Sequence, residues 1–256
     1  EVSPEKTRNQ AIKYGMRFCI CINLFLGIIK VIIGAVGHSS ALFSDGIHSL
    51  ADLIADFFTL IAGKIGSKGP DEDHPYGHKR IETFFNFGLG VILIGIAFAI
   101  GWDAVSRIAS KSFVKPDNLT MWIALVSVIL NEFLYWFLKG LNKKHKIPIL
   151  LTNAYHARAD TYSSVIVFVG ILGSILGFAW FDVIAMFIVA CFICKMGVKA
   201  SWSCVKELTD TAVSSSMLSS IKKIIEANSE VKSFYHIRTR SMAESVFLDF
   251  HILVAA

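Results

Sequence analysis

Long apolar segments alternate with short polar ones through the first 200 residues of the chain. A helix that crosses the hydrocarbon core of a bilayer needs about 20 mostly apolar residues. Six windows meet that requirement, at about residues 18–36, 41–65, 83–108, 119–138, 149–176 and 180–198. The pattern predicts an all-α bundle of six transmembrane helices and assigns residues 1–208 to one transmembrane domain.

The pattern changes after the sixth window. Serines at 214–216 precede an amphipathic run at 217–228, and a serine there is well suited to cap a helix. Two runs of roughly alternating apolar and polar residues, 231–240 and 245–254, predict strands. One helix and two strands cannot bury a full core alone. We therefore expect residues 209–256 to be part of a small cytoplasmic α/β domain that is truncated or stabilised by a partner.

Composition and charge placement agree with a membrane protein. Hydrophobic residues make up 54% of the chain and charged ones 18%, a balance that a soluble surface rarely tolerates. The formal charge of +5 suggests nucleic acid until its placement is considered. The basic residues on one side of the predicted helices are Lys6, Arg8, Lys13, Arg17, Lys64, Lys68, Lys79, Arg80, Lys139, Lys143, Lys144, Lys146, Lys199 and Lys206, against Arg107, Lys111 and Lys115 on the other. This asymmetry predicts cytoplasmic termini and needs no nucleic-acid partner.

Windows two and five differ from the others because ionisable residues stand at their centres. His48 and Asp52 are four residues apart in one window, as are His156 and Asp160 in the other, so each pair shares a helix face. A charge at mid-bilayer is costly and usually serves a function. Two imidazoles and two carboxylates suit a tetrahedral Zn²⁺, and the absence of thiolates disfavours Cu(I). Because the protein can supply all four ligands, carriage of the ion is favoured over hydrolysis.

Two more acidic residues, Asp45 and Asp56, lie on a similar stripe of the second helix. They are candidates for hydrogen-bonding the ligands, for relaying protons or for packing helices. We favour packing and support of the ligands over direct metal binding.

Further histidines lie outside the membrane windows. A proline and a glycine predict a turn between His74 and His78. The two histidines could therefore bind a metal together with an upstream carboxylate. A solvated acidic loop is the alternative. If the two predicted strands pair in antiparallel fashion, His236 and His251 reach one rim of the sheet. Surface histidines without a ligand explain that pair equally well.

With these motifs the sequence closely resembles the cation diffusion facilitator family of metal/proton antiporters over nearly its whole length. The motifs occur in family order: SDGIHSLAD at 44–52, HPYGH at 74–78, and His156 with Asp160. The resemblance implies that His48, Asp52, His156 and Asp160 form the transport site. A histidine at 48, where members with broader metal acceptance have aspartate, points to zinc.

The resemblance also implies accessory sites and an assembly. The family's loop metal site corresponds to Glu72, His74 and His78. Two ligands of its cytoplasmic metal site correspond to His236 and His251, and the remaining ligands would come from a third strand. The family forms homodimers with ferredoxin-like cytoplasmic domains, and a charge network at the dimer waist corresponds to Arg80, or Lys79, with Asp210.

The expected function is therefore a secondary active transporter, not an enzyme, that moves Zn²⁺ out of the cytoplasm in exchange for protons. Zn²⁺ is cargo rather than a cofactor, and a bacterial inner membrane is the expected location. The chain has no P-loop, so a proton gradient is the available energy source, and histidines with a pKa near about 6.5 can exchange protons for metal. Alternatives are a Fe²⁺, Cd²⁺, Co²⁺ or Mn²⁺ transporter of the same family, a membrane-bound metal-dependent enzyme, or a metal sensor without flux.

Overall fold

In the part of the chain that the structure describes, six long helices are followed by one shorter helix and two strands. The structure is a computed structural model that describes residues 4–66, 68–69, 71–75, 77–145, 147–228, 230–242 and 245–254; Tyr76 of the HPYGH motif and Lys146 of the basic set therefore lie outside it. The elements are α1 (Pro4–Val36), α2 (Ser40–Gly66), α3 (Lys79–Ala109), α4 (Asn118–His145), α5 (Pro148–Ile175), α6 (Trp180–Leu208), α7 (Ser215–Glu226), β1 (Val231–Met242) and β2 (Ser245–Val254). The predicted helical bundle followed by a small α/β domain is confirmed.

Most of the long helices have the length and composition of membrane spans. In the described part of the chain these are residues 12–36 of α1, all of α2, α3 and α6, and residues 118–143 of α4. Leu60, Phe98 and Trp102 expose 68 to 70% of their surface, as expected for side chains that face lipid. The remaining long helix, α5, has 28 residues, but polar and ionisable residues in its first half lower its hydropathy.

Two helices extend well beyond the windows predicted from hydropathy. α1 begins at Pro4 rather than near residue 18, and α6 ends at Leu208 rather than near residue 198. The extra turns are rich in polar residues. A helix satisfies its backbone hydrogen bonds internally, so it can continue into water beyond the apolar segment that hydropathy detects.

Small residues bring α1 and α2 into close contact. A Cβ atom added at Gly34 would lie 2.5 Å from the backbone nitrogen of Phe43, and one added at Gly46 would lie 2.7 Å from that of Val31. A larger residue at either position would push the backbones apart. The close crossing allows Asp45 of α2 to contact Lys30 of α1.

The residues after α6 form a helix and a two-stranded antiparallel sheet. Ser214 accepts a hydrogen bond from the backbone nitrogen of Met217 at 3.4 Å, so the predicted serine cap of α7 is confirmed. Tyr235 is paired with His251 across the strands, and the register shifts between Tyr235 and Arg238. His236 lies in that bulge with a φ of 55°, so the strand is locally distorted where a histidine was predicted to act.

The contacts divide the chain into two compact units. One comprises Glu1–Ala55 and Leu93–Lys195, and the other comprises Asp56–Ile92 and Met196–Ala256. The paired ionisable residues of α2 and α5 belong to the first unit. The histidine loop, the charge network and the sheet belong to the second.

Candidate metal centre

Four ionisable side chains of α2 and α5 meet inside the first unit. Within the helices, Nδ1 of His48 lies 3.8 Å from Oδ2 of Asp52, and Nε2 of His156 lies 3.8 Å from Oδ2 of Asp160. Between the helices, Nε2 of His156 lies 3.5 Å from Oδ2 of Asp52, and Nε2 of His48 lies 3.9 Å from Oδ1 of Asp160. These contacts close into a ring in which each carboxylate lies between two imidazoles.

The spacing of this ring is close to that of a metal site. Ligand atoms around a tetrahedral Zn²⁺ with bonds of about 2.0–2.1 Å lie about 3.3–3.4 Å apart. The observed contacts of 3.5 to 3.9 Å are only a few tenths of an ångström wider. Ligand atoms of His48, Asp52 and Asp160 all lie within 4.8 Å of one another. His48 uses a different nitrogen for each of its two contacts, whereas a tetrahedral ion takes one nitrogen from each imidazole. Binding of one ion by all four residues would therefore require rotation of the side chains as well as inward movement.

The four side chains differ in their access to the surroundings. Those of His48, Asp52 and Asp160 are 10, 12 and 16% exposed, whereas that of His156 is 41% exposed. The buried Nδ1 atom of His48 has no hydrogen-bond partner in the described part of the chain. A buried polar atom without a partner is costly, and coordination of a cation by that ring would offset the cost.

Asp45, one of the two acidic residues expected to support the ligands, is paired with Lys30, which the sequence analysis did not identify. Nζ of Lys30 on α1 lies 2.7 Å from Oδ2 of Asp45, and Ser163 donates to Oδ1 of Asp45 at 2.9 Å. The sequence carries a signal for this pair, because a lysine inside an apolar window is costly unless it finds a partner. Asp56, one turn beyond Asp52, is exposed.

The start of α2 is fixed by another buried acidic residue that hydropathy did not identify. Asp182 of α6 accepts hydrogen bonds from Oγ of Ser39 at 2.7 Å and from the backbone nitrogen of Ser40 at 2.8 Å. It therefore satisfies part of the first turn of α2, whose free N–H groups need acceptors. This cap ties the helix that carries His48 and Asp52 to α6.

The histidine loop between α2 and α3 forms a second cluster of potential ligands. Oδ1 of Asp71 lies 3.4 Å from Nδ1 of His74, and Oδ2 of Asp71 lies 3.3 Å from Nε2 of His78. The family resemblance implies Glu72 as the carboxylate of this site, and in the structure Asp71 contacts both histidines. The backbone N–H of His74 donates to Asp71 at 2.7 Å, and this hydrogen bond is the main reason that the pKa of Asp71 lies below its usual value.

The residues expected to form a charge network contact one another within a single chain. Nη2 of Arg80 lies 2.6 Å from Oδ1 of Asp210, so Arg80 contacts that carboxylate directly. Arg240 of β1 approaches the other oxygen of Asp210 at 3.9 Å. Nearby, Thr83 donates to Glu207 at 2.8 Å. Two arginines from distant parts of the sequence thus share one carboxylate.

The two histidines of the sheet also come together. The ring centroids of His236 and His251 are 5.8 Å apart, and the ring of Tyr235 is stacked on that of His251 at 5.3 Å. Both histidines are exposed. The bulge in β1 turns His236 toward His251, although the two are not directly paired in the register.

The fold and these clusters define a multi-pass membrane carrier of divalent metal ions. The chain belongs to the cation efflux family, whose members are also called cation diffusion facilitators: residues 16–209 match the cation efflux transmembrane domain, and residues 213–256 match the cytoplasmic domain of cation efflux proteins. Members of this family are transporters and not enzymes, and the second domain is of the dimerising type.

Individual relatives agree with this assignment. The chain is 35% identical over 232 residues to an uncharacterized transporter of Methanocaldococcus jannaschii. The aligned region covers 91% of this chain and 82% of the relative. It is 33% identical over 246 residues to the manganese efflux system protein MneS of Bacillus subtilis, with 94% and 83% covered. Metal tolerance protein C1 of Arabidopsis thaliana is 28% identical over 253 residues, which is 93% of this chain and 54% of the plant protein.

Proposed function

We propose that this protein exports Zn²⁺ from the cytoplasm in exchange for protons, with His48, Asp52, His156 and Asp160 as the transport site. The observation that carries the proposal is the closed ring of imidazole and carboxylate contacts between α2 and α5. Each helix carries only two of the four residues. The ring needs both helices, so a change in their relative position would open it and release an ion.

The ring also offers a physical basis for coupling to protons. A bound dication balances the charges of Asp52 and Asp160, and two neutral imidazoles complete its shell. Once the ion leaves, two carboxylates remain near one imidazole nitrogen, that of His156. Like charges held together favour uptake of a proton. Metal and protons thus compete for the same atoms, which is the requirement for exchange.

The predicted topology gives the orientation of the chain, and the family name gives the direction of transport. The excess of lysine and arginine on one side supports cytoplasmic termini, which would place the small domain in the cytoplasm. A bacterial inner membrane is the location proposed for the chain. Residues 1–208 would then form the transmembrane domain and residues 209–256 part of a ferredoxin-like domain. Export is the direction that the family name implies.

The other clusters are assigned supporting roles in this proposal. Asp71, His74 and His78 would form a loop metal site, with Glu72 beside it. His236 and His251 would supply part of a cytoplasmic metal site, and Arg80 with Asp210 would stabilise the homodimer waist. Asp45 and Asp56 would act through neighbours or in helix packing rather than as metal ligands.

Manganese is the second candidate cargo, because MneS is named as a manganese efflux protein. The histidines of the ring favour Zn²⁺, since imidazole is a better ligand for zinc than for Mn²⁺. Uptake into proteoliposomes that contain the purified protein distinguishes a zinc transporter from a manganese transporter. The ions to be tested, each with and without a pH gradient, are Zn²⁺, Mn²⁺, Cd²⁺, Co²⁺ and Fe²⁺. Zinc uptake that acidifies or alkalinises neither side would overturn the exchange mechanism, and uptake of Mn²⁺ without Zn²⁺ would overturn the choice of metal.

A further inference from the structure

A buried lysine is paired with Asp45, the acidic residue one helical turn before His48. Nζ of Lys30 lies 2.7 Å from Asp45, and it also donates to the hydroxyl groups of Ser49 at 3.4 Å and Ser164 at 3.3 Å. A lysine ammonium has three N–H donors, so each of them has an acceptor within the protein. The side chain of Lys30 is 1% exposed, so its charge is fixed in the helix bundle rather than extended to the membrane surface.

Asp45 is held from several sides. Ser163 donates to one of its oxygens at 2.9 Å, and Ser164 donates to the other at 3.2 Å. Asn131 of α4 donates in turn to Ser164 at 3.4 Å. The network therefore joins α1, α2, α4 and α5. Its members leave Asp45 fully paired and directed at α1 and α5.

This network lies directly beside the metal centre in sequence and along both helices. Asp45 is three residues before His48 on α2, and Ser163 is three residues after Asp160 on α5, so both lie on the faces that carry the ring. A free carboxylate at this position would be a third oxygen ligand within one turn of the ion. Paired with Lys30, Asp45 adds no net charge, and Asp52 and Asp160 alone are balanced by one dication.

We infer that Lys30 is a specificity-determining residue of the transport site. By holding Asp45 in an ion pair, Lys30 limits the metal-binding set to two imidazoles and two carboxylates. A nitrogen-containing tetrahedral set suits Zn²⁺, whereas an oxygen-rich set suits Mn²⁺ and Mg²⁺. Lys30 acts through Asp45 and does not touch the ion, so it is a positioning residue. The inference rests on the transport site proposed above.

The test compares variants of the full chain by Mn²⁺ and Zn²⁺ uptake into proteoliposomes and by calorimetric binding of each ion in detergent. Lys30→Met removes the charge and keeps the apolar stem, and we expect the ratio of Mn²⁺ to Zn²⁺ uptake to rise about tenfold or more, the scale of changes beside metal ligands. Asp45→Asn leaves the ammonium unbalanced near the ion, so binding of both ions should weaken about tenfold.

The double variant Lys30→Met/Asp45→Asn should recover most of the zinc preference. Replacing both members of a buried ion pair leaves no unpaired charge, and no third carboxylate is released. Lys195→Met is the matched control, because Lys195 is an exposed lysine inside the α6 span; it should leave the ratio unchanged. Lys30→Gln keeps a hydrogen-bond donor for Asp45 without the charge. It guards against a folding failure of Lys30→Met, and it should shift the ratio in the same direction.

A purely structural role for Lys30 gives a different result. In that case Lys30→Met and Lys30→Gln would melt at lower temperature and transport less zinc, but their ratio of Mn²⁺ to Zn²⁺ uptake would equal that of the unmodified protein. That outcome would overturn the inference. An unmodified protein that binds neither ion would instead overturn the proposed transport site, so the two failures are distinguishable.

Discussion

His48 on α2 and Asp160 on α5 face each other across the helix interface, with Nε2 and Oδ1 3.9 Å apart. One turn further along α2, Asp52 faces His156 at 3.5 Å, and one turn earlier Asp45 faces Ser163 at 2.9 Å. As residue numbers increase along α2, the numbers of the residues that they face on α5 decrease. The two helices run antiparallel in this layer, and their register brings a histidine of one opposite an aspartate of the other.

The register predicts that either helix alone is insufficient for transport. We expect Asp160→Ala to reduce zinc uptake by about 100-fold or more, because loss of a direct ligand should cost at least as much as the 10–100-fold seen for outer partners of metal ligands. Proteoliposome uptake measures it, with size-exclusion chromatography to check that the dimer survives. Asp103→Ala is the control, since Asp103 makes a half-exposed pair with Arg107. Normal zinc uptake by Asp160→Ala would rule out the ring as the transport site.

A second prediction concerns the histidine that points to zinc. His48→Asp replaces a nitrogen ligand by a harder oxygen ligand, so the variant should still transport but discriminate less against Cd²⁺ and Mn²⁺. Competition of each ion with zinc uptake measures the change. Unaltered discrimination in an active variant would show that position 48 does not set selectivity.

The loop cluster allows a comparison between adjacent acidic residues. Asp71 contacts both His74 and His78. Asp71→Asn should therefore weaken zinc binding at the loop about tenfold or more, the loss of affinity that is typical when a residue next to metal ligands is changed. Glu72→Gln should have little effect. Titration of zinc into each variant isolates this site when the transport site is removed by Asp160→Ala and the histidines of the sheet are removed by His236→Ala and His251→Ala. The reverse ranking of the two variants would assign the ligand to Glu72.

The ion pair of Arg80 with Asp210 is nearly half exposed on both sides, and such pairs contribute about 1 kcal/mol or less. We expect each charge reversal, Arg80→Asp or Asp210→Arg, to lower the thermal stability of the purified dimer, and the combined swap to recover part of it. The melting temperature of the dimer in detergent is the measurement. Strictly additive effects would show that the two residues do not interact.

The predicted orientation can be checked by labelling single cysteines in a variant that lacks the native five. Ser112, in the connection between α3 and α4, and Ser215, at the start of α7, are both exposed. Cysteines at these positions should react with a membrane-impermeant reagent from opposite sides, Ser215→Cys from the cytoplasm. Reaction of both from one side would contradict the topology.

The sequence by itself determined the class of protein and identified the residues of the candidate metal centre. Apolar windows of membrane length appear in any hydropathy pattern, since lipid imposes that composition on each helix separately. The spacing of four residues placed His48 with Asp52, and His156 with Asp160, on common faces, because a helix fixes that geometry locally. These features depend on one helix at a time.

The tertiary structure decided which residues from different segments meet. In the folded chain Lys30 is paired with Asp45. Asp71 contacts the loop histidines, and Arg80 contacts Asp210. None of these contacts has a periodic signal, because each depends on how closely two helices cross, on the register between them or on the path of a loop. Gly34 and Gly46 allow α1 to approach α2, and only that approach turns a lysine in an apolar window into the partner of an aspartate.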